Sequence, residues 1–68
     1  MQQWHLLFKT RNYAEASIVQ GVLSENQIPV QVMNKLDSSY LNFGDIEVYV
    51  PINFKDIAKS LLEKALLN

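Results

Sequence analysis

His5 is the single histidine of this 68-residue chain, and a catalytic imidazole needs a nucleophile or carboxylate within hydrogen-bond range. Asp45 and Glu47 are the carboxylates that strand adjacency could bring to it. That set is thin, because a zinc site would want a third protein ligand of the right type. The chain has no cysteine, which excludes disulfides and thiolate metal sites. Ser38 and Ser39 have no nucleophile-elbow pattern around them. Gly44 stands without a phosphate-cradling glycine series, and Asp37, Asp45 and Glu47 are too sparse for a calcium loop. The expectation is a non-enzymatic protein with no cofactor and no metal, in which His5 is an ordinary strand histidine.

Composition points the same way. Six basic and seven acidic residues give a net charge of −1. Lys9, Arg11, Lys35, Lys55, Lys59 and Lys64 form no run, whereas a nucleic-acid binder normally shows a basic stripe. No apolar stretch approaches the roughly 20 residues that span a bilayer. Met1-Gln2-Gln3-Trp4 lacks the basic start and apolar segment of a signal peptide. A cytoplasmic, soluble protein with neither nucleic-acid nor membrane partners is expected. A chain of this length is one domain, residues 1–68, and buries only about 60% of its unfolded surface. Its stability is therefore thin, and helix quality and self-association are the remaining ways to add to it.

The elements that would position any site follow from local patterns. Strands are expected at about 4–10, 28–33 and 45–50, and helices at about 13–26 and 54–67. In the first strand, Trp4, Leu6 and Phe8 should share one face, and His5, Leu7 and Lys9 the other. Asn12 caps the first helix, with Glu15 in capping-box position. Ile18, Val19, Val22 and Leu23 make its apolar stripe, and Gly21 costs about 1 kcal/mol there, for which close approach of the backbone to the sheet should compensate. Ile28, Val30 and Val32 face one way in the second strand. Ile46, Val48 and Val50 alternate cleanly with Asp45, Glu47 and Tyr49 in the third, which Pro51 ends. Asn53 should cap the last helix, where Phe54, Ile57, Ala58, Leu61, Leu62, Ala65 and Leu66 recur at helical spacing.

The order β-α-β-β-α predicts an α+β two-layer sandwich with both helices on one face. It is the ferredoxin-like plan lacking its last strand, with strand three beside strand one and parallel to it. The first strand is then an edge offering unpaired amides. The uncovered face should carry His5, Leu7, Lys9, Gln31, Met33, Asp45, Glu47 and Tyr49, and Lys9 should pair with Glu47 across it. Trp4 should either cap the helical layer, the preferred reading, or take part in an edge-strand contact. This face is either a patchy water-facing surface or a contact for a protein partner. A homodimer pairing first-strand edges would relieve the thin core.

Taken together, Asn12-Tyr13-Ala14-Glu15-Ala16, Gly21-Val22-Leu23, Asn26-Gln27-Ile28-Pro29-Val30 and Phe43-Gly44-Asp45-Ile46-Glu47-Val48-Tyr49-Val50-Pro51 resemble a small bacterial family of unknown function, labelled "putative prokaryotic signal transducing protein". The resemblance runs over nearly the whole chain. It implies a sensing or regulatory module and brings no catalytic residues. Where that family usually has Gly before Ile-Pro, this chain has Gln27, so the left-handed residue closing the first helix must be Asn26 or Gln27.

The loop of about residues 34–44 is longer than the usual 2–5 residues of a hairpin. Leu36, Tyr40, Leu41 and Phe43 could fold back to close the core. Alternatively they line a shallow pocket whose polar groups are Ser38, Ser39, Tyr40 and Asn42. The leading reading is a regulatory interaction module binding a protein partner or a second copy of itself. The alternative is a small-metabolite sensor that uses the 34–44 loop. The candidate surface is His5, Leu7, Met33, Ser38, Ser39, Tyr40, Glu47 and Tyr49.

Overall fold

The computed structural model describes residues 3–35 and 45–66. Strand β1 is Trp4–Thr10, helix α1 Tyr13–Glu25, strand β2 Gln31–Asn34, strand β3 Ile46–Pro51 and helix α2 Lys55–Leu66. The sheet order is β1-β3-β2, and both helices pack on its one face as an α+β two-layer sandwich. β3 is antiparallel to both neighbours. The parallel pairing of strands one and three expected from the sequence is therefore wrong. The β1-α1-β2 crossover makes β1 parallel to β2, which is not its neighbour, and β3 returns between them. β1 remains an edge, as expected.

Helix α1 starts where the sequence puts it. Asn12 Oδ1 accepts from the Ala14 and Glu15 amides at 2.8 and 3.3 Å. The reciprocal half of the capping box is rerouted through Thr10. Its hydroxyl donates to Glu15 Oε1 at 2.7 Å and accepts from the Asn12 amide at 3.0 Å. Asn12→Ala should lower stability by about 1 kcal/mol, read as a reduced urea midpoint; an unchanged midpoint would mean that water caps this end equally well.

The other end is a Schellman closure on a non-glycine residue. The Ile28 amide donates to the Leu23 carbonyl and the Gln27 amide to the Ser24 carbonyl, each at 3.0 Å. Gln27 takes φ 61°, the left-handed region in which a Cβ is strained. The closure carries Ile28 back into the core beside Leu23. β2 consequently begins at Gln31, three residues later than expected, although Val30 and Val32 do pack inward.

The core lies between sheet and helices: Val19, Leu23, Ile28, Val48, Val50 and Ala58 are buried, with Phe8, Phe54, Leu61 and Leu62 against them. β3 alternates as predicted, Ile46, Val48 and Val50 all being buried. Four expectations fail in detail. Ile18 and Ile57 lie off the core side of their helices, 51% and 57% exposed, and Ala16 takes the inward position in α1. Gly21 is exposed and a Cβ there would meet nothing within 4 Å, so no close approach to the sheet explains it. Asn53 sits inside a 3₁₀ turn, Ile52–Phe54, that leads into α2, and is not the residue that opens the helix.

Candidate functional site

A β-bulge decides which side chains of β1 face where. Trp4, His5 and Leu6 pair with Pro51, Val50 and Tyr49, but Phe8, Lys9 and Thr10 pair with Val48, Glu47 and Ile46. Leu7 is the extra residue, and it breaks the alternation. His5, opposite the buried Val50, and Leu7, packed on the core, therefore face the helices. Trp4 and Leu6 face the open side instead, 42% and 37% exposed. This corrects the expectation that His5 and Leu7 belong to the open face and that Trp4 caps the helical layer.

The proposed pairing of His5 with Asp45 or Glu47 fails for the same reason. Glu47 is opposite Lys9 on the open face, and Asp45 lies beyond the far end of β1 from His5. Among the described residues no cluster of three or more His, Cys, Asp or Glu could hold a metal ion. Ser38, Ser39 and Tyr40 lie outside the described residues.

The open face that does form is organised around Glu47. Tyr49 donates its hydroxyl to Glu47 Oε1 at 2.6 Å, and Lys35 Nζ lies 3.3 Å from the same oxygen. Lys9 stands opposite in register, but the ion pair within 4 Å is made by Lys35. Beside this polar group lie Met33, 46% exposed, and Leu6, which pairs with Tyr49. Arg11 and Asp45 make a loose exposed ion pair at 3.9 Å near one end. Asn34 donates to the Tyr13 hydroxyl, which ties the start of α1 to β2.

These contacts set the protonation behaviour. The Tyr49 hydrogen bond, helped by Lys35 and Lys9, holds the Glu47 carboxyl below its usual range against the opposing effect of desolvation. The same bond, with desolvation, pushes the Tyr49 phenol up. A depressed carboxyl stabilises the fold above the usual carboxylate range, and that contribution is lost as pH falls through its lowered value. A raised phenol stabilises the fold below the usual tyrosine range, and is lost as pH rises through its raised value. Tyr49→Phe should therefore raise the Glu47 titration midpoint, read from its side-chain carboxyl carbon by NMR. An unmoved midpoint would show that the lysines alone set it.

The outer edge of β1 borders this face. The Lys35 amide donates to the Asp45 carbonyl, and the Ile52 amide to the Gln3 carbonyl. Antiparallel strands exchange bonds at every second pair, so β3 turns 46, 48 and 50 toward β1 and its odd-numbered residues toward β2. The main-chain groups of Trp4, Leu6 and Lys9 are then directed away from β3. No described strand pairs with them.

The family model described as "Putative prokaryotic signal transducing protein" matches residues 4–65. The chain belongs to this family. The match covers every strand and all of α2 except its final residue, Leu66, and the family's description suggests signal transduction for its members. No curated protein and no solved structure matches the chain. No described helix is long and apolar enough to cross a membrane. Sequence reasoning missed Trp4 and Leu6 as open-face residues. The one available signal was the unbroken apolar run Leu6-Leu7-Phe8, which interrupts the alternation where a bulge can sit.

Proposed function

We propose that this protein is a non-enzymatic regulatory module that acts by binding protein through the outer edge of β1 and the adjoining open face, a second copy being the first partner to test. The observation that carries this is the continuity of an unpaired strand edge with exposed Trp4, Leu6 and Met33. Isolated exposed apolar residues are ordinary, but Trp4 and Leu6 sit on the edge strand itself. An added strand would satisfy its main-chain groups while covering them. The family's description supports a signalling role. The bulge splits the edge into two short pieces, which limits strand pairing and favours a weak, reversible contact.

Sedimentation over a wide concentration range tests this. A reversible monomer–dimer equilibrium is expected, and Leu6→Lys should displace it toward monomer by placing a charge at the edge. A chain that stays monomeric at millimolar concentration removes the second copy as partner. Self-association untouched by Leu6→Lys moves the contact elsewhere.

A further inference from the structure

The bulge has a second effect, on the opposite side of the sheet. By turning His5 and Leu7 toward the helices it opens a cleft of about 420 Å³ between β1 and α2, lined also by Lys55, Asp56, Lys59, Leu62 and Glu63. Bulges commonly re-aim side chains beside functional sites, and this volume lies in the range of small-molecule pockets. Leu7 and Leu62, both packed against the core, supply an apolar floor. The rim carries charges of both signs.

Those charges are left unsatisfied by one another. Among the described residues the ion pairs are Arg11 with Asp45 and Lys35 with Glu47, and none of Lys55, Asp56, Lys59 or Glu63 has a charged partner. Lys55 and Lys59 stand one turn apart, a like-charge spacing that is mildly unfavourable. Lys59 precedes Glu63 by four residues, the poorer order for a helical ion pair. A bound anion would relieve the first arrangement. A ligand carrying both charges would use the second, since Lys59 and Glu63 are about 6 Å apart along the axis.

We propose that the cleft between β1 and α2 binds a small zwitterion with an apolar body, of the free α-amino-acid class. Its carboxylate lies toward Lys55 and Lys59, its ammonium toward Glu63 or Asp56, and its side chain on Leu7 and Leu62. This site is separate from the strand edge and open face and does not depend on the protein-binding reading.

The probe is L-leucine, titrated into the ¹⁵N-labelled protein, with leucinamide (ammonium kept, carboxylate removed) and 4-methylpentanoate (carboxylate kept, ammonium removed) as comparisons. Leucine should give saturable amide shifts confined to residues 5–7 and 55–63. Its dissociation constant should be on the order of 1 mM, as suits a small ligand in an open cleft. Each singly charged analogue should bind about 3- to 5-fold more weakly, and Lys59→Gln, exposed and harmless to the fold, should weaken leucine about 2- to 5-fold. The proposal is overturned if leucine gives no saturable shifts, if either analogue matches it, if Lys59→Gln leaves its affinity unchanged, or if the shifts map to the open face.

Discussion

Leu23→Ala is expected to take away most of the stability of this domain. Leu23 is fully buried, and it touches both the sheet side and the α1 closure, since its carbonyl receives the Ile28 amide that folds the chain back into the core. Truncating a buried leucine costs about 2–5 kcal/mol, from lost transfer energy and from the cavity left behind. A chain of this size has roughly 3–10 kcal/mol in total. Urea unfolding followed by circular dichroism should therefore show a midpoint lowered by about half or more, or a chain already unfolded. Ile18→Ala is the control within the same helix and the same apolar run. Ile18 is exposed, and its truncation should stay within about 0.5 kcal/mol. Equal losses at the two positions would contradict the described burial of α1.

The second large effect runs in the opposite direction. The chain has a glycine where a side chain is free to stand, at Gly21, and a side chain where the backbone is left-handed, at Gln27. Gly21→Ala recovers about 1 kcal/mol of helix propensity without steric cost. Gln27→Gly relieves the left-handed strain, offset in part by the greater freedom of glycine in the unfolded chain, for a net gain of about 0.5 kcal/mol. Six residues apart, one inside α1 and one beyond it, they should add nearly independently. The double variant should melt roughly 6–12 °C higher. If Gly21→Ala destabilises, the glycine meets something that residues 3–35 and 45–66 do not include. If Gln27→Gly destabilises, the Gln27 side chain makes a compensating contact.

Self-association and stability are linked in a domain this small. Whatever binds the folded chain alone adds to its apparent stability by mass action. Melting temperatures of the variants should be compared at fixed protein concentration, so that an edge contact at Leu6 is not mistaken for a change in core packing. By the same linkage, leucine held in the β1–α2 cleft of the folded state should raise the melting temperature, and the amide shifts are what assign that gain to the cleft.

Local sequence determined the order and type of the elements, the Asn12 cap and the inward row Ile46, Val48 and Val50. Each of these depends on side-chain spacing or backbone sterics over a few neighbouring positions, which is why it is legible without a fold. The family was legible for the same reason, because short motifs at fixed order carry it. The open-face residues Met33, Glu47 and Tyr49 were correctly placed because β2 and β3 keep strict alternation.

Tertiary structure alone decided the rest. Whether β1 alternates or bulges depends on its register against β3, and one extra residue, Leu7, exchanged His5 for Trp4 and Leu6 on the open side. The direction of β3 beside β1 follows from the path of the whole crossover and not from any strand's composition. Ile18 and Ile57 look like core residues by spacing, yet each helix has only one side against a three-stranded sheet, too narrow to cover both flanks. The chain codes for apolar stripes wider than the surface available to bury them. Which residues of a stripe are left at the surface is settled by where the helices come to rest on the sheet.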